Sequence, residues 1–171
     1  VYKNNFQNNI KKDWSYHSYR NSDIKNYVKA AESLTKENYF VFRIGKGVSG
    51  KIETINNKII DYSNTEDRND FLDIYLSANC SFFLVGESGL STVPNVYRVP
   101  IVFVNLPAIE YLFTWNSNVI TIFKKYWLKQ EKRFMTFKEI YKTGAGRFLL
   151  TKQYENMGIE LIENTPDEIL A

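Results

Sequence analysis

Apolar residues in this 171-residue chain recur with two different periods, and the two alternate along it. Ile24, Tyr27, Val28, Ala31 and Leu34 fall at i, i+3, i+4, i+7 and i+10, one stripe of a helix that Asn21 or Ser22 caps and that runs to about Lys36. A strand over Tyr39–Ile44 follows, then a loop holding Gly45, Gly47 and Gly50, then a short strand over Lys58–Tyr62. A second helix starts near Asp67 and is expected to bury Phe71, Ile74, Tyr75 and Ala78. Phe82–Val85 is too continuously apolar for a half-exposed strand, which suits a sheet covered on both faces. A sharp Ser88-Gly89 turn leads into a helix over about Ser91–Tyr97. Its Pro94 lies in the first turn, where the missing N–H has no intrahelical partner. Strands over Ile101–Val104 and Asn118–Phe123 come next. Thr136-Phe-Lys-Glu139 spells a capping box with Met135 set to staple onto Ile140, and the helix it opens ends at Gly144-Ala-Gly146. Ile159–Ile162 is a final strand, and Thr165-Pro166-Asp-Glu168 starts one more helix.

Strands alternating with helices predict an α/β fold, a three-layer sandwich on a mainly parallel sheet. In such sheets ligands settle beyond the carboxyl ends of the strands. Three segments are placed there: Gly45-Lys46-Gly47, Glu87-Ser88-Gly89-Leu90-Ser91-Thr92, and Asn105-Leu106-Pro107. Ser88, Ser91, Thr92 and the amides around Gly89 can meet phosphate oxygens, and Glu87 can accept from ribose or sugar hydroxyls. The same letters also serve as ordinary turn and cap chemistry. Gly45-Lys-Gly47-Val-Ser-Gly50 spells Gly-x-Gly-x-x-Gly, but the short polar stretch after it is a poor helix, and no Walker lysine motif occurs.

A composition of 44% hydrophobic and 16% aromatic residues supplies a proper core for one domain. The net charge of +3, with basic and acidic residues interspersed, gives no nucleic-acid footprint. The exception is the basic run of Lys124, Lys125, Lys129, Lys132 and Arg133, read as a solvated strand end and loop or as a peripheral contact with anionic lipid. The single Cys80 excludes an internal disulfide and fits a reducing, cytoplasmic location; beside Phe82 and Phe83 it reads as a buried, inert thiol. Val99–Phe113 is interrupted too often to span a bilayer. A lone histidine and a lone cysteine far apart predict no metal site. His17 and Arg20 either face an anion ahead of the first helix, or His17 packs among Trp14, Tyr16 and Tyr19. Arg43 inside an apolar strand must reach the sheet edge or an acidic partner. Asp70 and Asp73 read as ordinary first-turn acids. Residues 1–13 read as a poorly ordered linker and residues 14–171 as a domain truncated at both ends.

An ordered set of short motifs carries a resemblance. These are Trp14-Ser-Tyr-His-Ser-Tyr-Arg-Asn-Ser-Asp-Ile24, Phe42-Arg-Ile-Gly45, Ile60-Asp-Tyr62, Arg68-Asn-Asp-Phe-Leu-Asp-Ile-Tyr-Leu-Ser-Ala-Asn-Cys80, Ser88-Gly-Leu90, Val93-Pro94, Arg98-Val-Pro100 and Glu163-Asn-Thr-Pro166. From Trp14 to its end the chain resembles a family of bacterial glycosyltransferases encoded with surface-polysaccharide genes, and more broadly the C-terminal, nucleotide-sugar-binding half of GT-B glycosyltransferases. The resemblance implies a Rossmann-like domain that binds a nucleotide-diphosphate sugar as substrate, with no further cofactor and no metal. It implies donor contacts at Gly45 and Lys46 and at Glu87, Ser88, Gly89, Leu90 and Ser91, with Arg20 and Arg43 as further cations. A carbohydrate or lipid-linked acceptor would be the second substrate. The His-Val-Arg-Asp stretch found upstream in relatives is not in this sequence. Metal-free transfer needs the leaving diphosphate stabilised by amides and cations, and the acceptor hydroxyl deprotonated by a carboxylate or His; His17 and Asp23 are the candidates for that base. A GT-B-like nucleotide-sugar epimerase and a non-catalytic interaction module are the competing readings.

Overall fold

The computed structural model describes residues 14–48 and 50–171, so the linker expected over residues 1–13 lies outside the described residues. After a 3₁₀ turn at Ser15–Arg20 the chain runs through α1 (Lys25–Lys36), β1 (Val41–Phe42), β2 (Ile59–Ile60), α2 (Asp70–Asn79) and β3 (Phe83–Val85). It continues through α3 (Thr92–Val96), β4 (Ile101–Leu106), β5 (Val119–Phe123), β6 (Lys125–Leu128) and β7 (Arg133–Phe134). The last elements are α4 (Phe137–Thr143), α5 (Thr151–Asn156), β8 (Ile159–Ile162) and α6 (Pro166–Leu170).

The fold is mixed α/β, with parallel pairing between β1 and β2 and through the three-stranded order β3-β4-β5. The single, mainly parallel sheet expected from the alternation is not what forms. The strands divide into three small sheets, and the third, ordered β7-β6-β8, is antiparallel throughout. The reason lies in the basic run: Lys125–Leu128 extends as β6, Lys132 adopts a φ of 51° at the turn, and β7 folds back onto β6. Neither β6 nor β7, nor α5, stands out in the sequence, because charged residues mask the strand pattern.

β4 is the centre of the fold. Ile101 and Phe103 point into one cluster with Phe83, Val99 and Leu106, while Val104 points into another with Ala30 of α1 and Ile169 of α6. Both faces of the β3-β4-β5 sheet are therefore covered, as the continuous apolar runs predict. A third cluster gathers Tyr19, Tyr126, Ile140, Tyr154 and Ile159 beside the antiparallel sheet. Within it the fully buried Tyr126 donates its hydroxyl hydrogen bond to the Pro107 carbonyl, and burial pushes its phenol up to about 12. Tyr126→Phe leaves that carbonyl buried without its donor and is expected to lower stability by about 1–3 kcal/mol in urea unfolding. A change under 0.3 kcal/mol, roughly the scatter of such comparisons, would count against the bond.

Neither Asn21 nor Ser22 caps α1, which starts after Ile24 without a side-chain cap because the Ser22 hydroxyl meets that of Tyr27; the signals at α4 and α6 are met. The capping boxes Thr136/Glu139 and Thr165/Glu168 are both present, Gly144 takes the left-handed C-cap with φ 72°, and Met135 packs against the cluster that holds Ile140. Glu139 accepts from the Thr136 backbone and meets Arg133 at 2.7 Å, and these bonds, Arg133 first, hold its carboxyl down to about 2. A depressed carboxyl contributes stability above its unfolded value of 4.5 that is lost as pH falls toward the folded value. The stability difference between wild type and Glu139→Gln should thus be constant at neutral pH and shrink between pH 4.5 and about 2. A difference independent of pH across that range would refute it.

α2 overturns one expectation outright. Phe71, Ile74 and Tyr75, expected inside, are 71%, 48% and 52% exposed, whereas Asp73 and Ser77 are buried. The apolar stripe shows that the helix is amphipathic but not which face turns inward. Asp73 is held in by Arg68, at 2.5 Å, and the Ser77 hydroxyl donates to the Asp73 carbonyl.

Candidate functional site

The carboxyl ends of four strands meet at one place. Gly86 and Glu87 follow β3, Asn105 ends the regular part of β4, Lys124 follows β5, and Glu163 and Asn164 follow β8. Two reciprocal bonds lock this edge: Asn105 N–H donates to Asn164 Oδ1 at 2.6 Å, and Asn164 N–H donates to Asn105 Oδ1 at 2.5 Å. Asn164 Nδ2 also donates to the Phe123 carbonyl at 2.9 Å, and Lys124 N–H donates to the Leu106 carbonyl at 3.0 Å. Asn105 is fully buried with φ 56°, a conformation that Asn tolerates better than most residues.

Charged groups crowd the same edge. Arg20 Nη1 lies 3.6 Å from Glu87 Oε1. Lys124, only 5% exposed, donates to the Asn21 carbonyl. Glu163 accepts from Asp23 N–H at 2.9 Å and from Asn26 Nδ2 at 2.8 Å, at the start of α1. Burial raises the Glu87 carboxyl above its ordinary value, with Arg20 and Lys124 opposing. Burial likewise lowers the Lys124 ammonium, with Glu163 and Glu87 opposing. The Tyr27 hydroxyl, 2.9 Å from Ser22 Oγ, sits against Gly86, where an added Cβ would come within 3.4 Å of it. The Asn105 side chain also bonds the Tyr27 hydroxyl, while among the described residues Arg20 Nε, Asn21 Oδ1 and Glu87 Oε2 are buried and take no hydrogen-bond partner. Buried polar atoms are nearly always paired, so these three set this sheet edge apart.

The residues singled out from sequence divide into two groups. Arg20 and Glu87 come together, with Ser88–Ser91 directly following. Arg43 and Lys46 lie after β1 and direct their charge to Asp61 at 3.4 Å and Asp70 at 3.5 Å. Arg43 thereby has the acidic partner its place in an apolar strand requires. Gly45 takes φ 127°, open only to glycine-like backbone. The amide cradle expected around Gly89 is largely closed by local bonds. Leu90 N–H goes to Ser88 Oγ at 3.1 Å, Ser91 N–H goes to the Ser88 carbonyl at 3.2 Å, and Thr92 N–H goes to the carbonyls of Gly89 and Leu90. The Ser91 hydroxyl is tied to the Ser88 carbonyl at 2.6 Å. Open space surrounds Gly89.

His17 packs against Tyr16, with ring centroids 4.1 Å apart, and within 6.0 Å of Trp14 and Tyr19. Burial, and then the Arg20 charge, lower its pKa. Asp23 is exposed and accepts from Lys25 N–H at 3.0 Å, which is helix-start chemistry. Of the basic run, Lys124 is buried, contrary to its reading as surface, because it is drawn into the charge cluster. Lys125, Lys129 and Arg133 face Glu168, Glu160 and Glu139. Cys80 is half-buried, and burial pushes its thiol up. Lys124 and Glu163 are the site residues that sequence reasoning did not assign. The signal was available: each stands directly after an apolar strand, as Glu87 does.

Among the described residues, no group of three or more His, Cys, Asp and Glu side chains is placed to hold a metal ion, and no helix is long and apolar enough to cross a membrane. Comparison of the chain with protein-family models, with curated proteins and with solved structures finds no match.

Proposed function

We propose that this chain is the donor-binding part of a glycosyltransferase of cell-surface polysaccharide assembly, a Rossmann-like half of a GT-B architecture that takes a nucleotide-diphosphate sugar and serves a carbohydrate or lipid-linked acceptor. The observation that carries the reading is the convergence of Arg20, Glu87, Asn105 and Lys124 at the carboxyl ends of β3, β4 and β5, where Arg20, Asn21 and Glu87 each keep a buried polar atom without a partner in the chain. Ligand sites of parallel α/β sheets lie at such edges. The resemblance in sequence adds the chemical class.

Calorimetric titration of the chain with the common nucleotide sugars tests it. Binding of at least one is expected, and Arg20→Ala should weaken it by about 10- to 150-fold, the worth of one charge-assisted hydrogen bond. If no nucleotide sugar produced heat, the proposal would be lost. A second reading, an interaction module, is favoured by the outward apolar face of α2, where Phe71 and Tyr75 stack with centroids 6.1 Å apart. It predicts the absence of nucleotide-sugar binding with retention of a folded chain. An epimerase would bind the same donor but change its sugar without an acceptor, which product analysis detects.

A further inference from the structure

The β6–β7 hairpin and α4 carry rings and charges that the fold does not use. Phe137 and Tyr141, one turn apart on α4, are 69% and 72% exposed, and Phe134 on β7 is 48% exposed. Lys138 and Lys142 are likewise one turn apart, so a basic row runs beside the aromatic one. Phe134 and Phe137 also stand on the wall of an open groove of about 510 Å³, with Ile122, Phe123, Met135 and Ile140 on its apolar walls. Exposed apolar surface gathered in this way, rather than scattered, marks a contact surface.

The charges say what the surface meets. Lys125 pairs with Glu168 at 2.9 Å, and Lys129 faces Glu160 at 3.9 Å. Arg133 takes both carboxylates of the stretch, Glu131 at 2.6 Å and Glu139 at 2.7 Å, and the second bond ties the hairpin to α4. Lys132, Lys138 and Lys142 are exposed and enter no ion pair among the described residues. The basic run is therefore not itself the contact, because Lys124 is buried and three of its other members are engaged. Uncompensated positive charge lies instead at the Lys132 turn and on α4, next to the exposed rings.

A second copy docking by the same face would set lysine against lysine. An anionic bilayer surface fits both features. Aromatic rings settle at headgroup depth, and flexible lysine stems reach lipid phosphates without a fixed geometry. Such binding draws on buried apolar area and on attraction to anionic lipid together. We propose that the β6–β7 hairpin and α4 form a docking face for a bilayer with anionic headgroups. Phe134, Phe137 and Tyr141 enter the headgroup layer, and Lys132, Lys138 and Lys142 meet its phosphates. This face does not depend on the donor reading, and titration with nucleotide sugars can fail while it holds.

Sedimentation of the whole chain with vesicles checks it. Vesicles of phosphatidylglycerol and phosphatidylcholine in equal parts are expected to carry the chain down at about 0.05 M salt and to release it by about 0.5 M. Vesicles of phosphatidylcholine alone are expected to leave it in solution. Lys132→Gln, Lys138→Gln and Lys142→Gln should each weaken binding about fivefold. Phe137→Ser should weaken it about tenfold. Removing as many charges at Lys36, Lys51 and Lys58 should leave binding within about twofold, since the attraction acts only near the surface. The comparison of vesicles and salt stands on the wild-type chain alone should a variant fail to fold. No binding to the anionic vesicles, equal binding to the neutral ones, or equal losses in the two sets of lysine variants would overturn the proposal. So would a preference for soluble polyglutamate over vesicles, which assigns the face to an acidic protein. A dimer that Phe137→Ser dissociates would overturn it as well, by assigning the face to a second copy.

Discussion

Asn105→Ala is expected to lower the stability of the fold by about 2–5 kcal/mol, with a fall in Tm of roughly 4–20 °C. Two effects add. The Asn105 side chain accepts from the backbone N–H of Asn164, and both residues are buried, so its loss strands a donor that no solvent reaches. An unmet buried donor costs about 1–3 kcal/mol. Alanine must also hold φ 56°, a left-handed conformation that costs it roughly 1–2 kcal/mol. Asn105→Gly relieves the second effect but not the first and should recover part of the loss. Asn105→Asp keeps the oxygen that Asn164 needs but sets a carboxyl in a fully buried position, so it too should lose stability. If urea unfolding placed Asn105→Ala within about 0.5 kcal/mol of wild type, the range of ordinary surface changes, the reciprocal pair would not be what joins β4 to β8.

Lys124→Met should cost about 1–3 kcal/mol, because the Asn21 carbonyl loses the buried donor that Lys124 supplies. Removing the Glu87 carboxylate as well should restore part of the loss. Lys124→Met with Glu87→Gln is expected to fall short of the sum of the single changes by at least about 1 kcal/mol. A strictly additive pair would mean that the two groups do not sense one another.

The same groups give opposite pH slopes. The folded chain binds the Lys124 proton less readily than the unfolded chain, so this group adds stability as pH rises from its lowered folded value to the ordinary 10.5. The folded chain holds the Glu87 proton longer than the unfolded chain, so stability falls as pH rises from 4.5 through the raised folded value. Tyr126, raised to about 12, opposes the alkaline gain above pH 10 in wild type and variant alike. The difference between wild type and Lys124→Met therefore isolates the lysine and should grow less favourable to Met as pH approaches 10.5.

How much of this was legible beforehand depended on the range of the interactions. Glu87 and Arg20 were marked in the sequence, one after a buried strand and one before a helix, but nothing in their spacing said that they pair. Ser88–Ser91 was marked for its free amides, yet a Ser-Gly turn spends its own hydroxyl and carbonyl on those amides, as Ser88 does. His17 was equally readable as ligand or as packing, and its ring lies against that of Tyr16.

Helix caps, the Gly144 stop and the continuous apolar strands β3, β4 and β5 were set by residues within a turn or two of one another, whose hydrogen bonds and burial need no distant partner. The outward face of α2, the antiparallel hairpin made from a basic run, and the burial of Lys124 were decided only by tertiary structure. Lys124 and Asn105 depend on partners far along the chain, Lys124 on Asn21 and Glu163, and Asn105 on Asn164. Amphipathic periodicity shows that an element has two faces. Which face turns inward is settled by what packs against it.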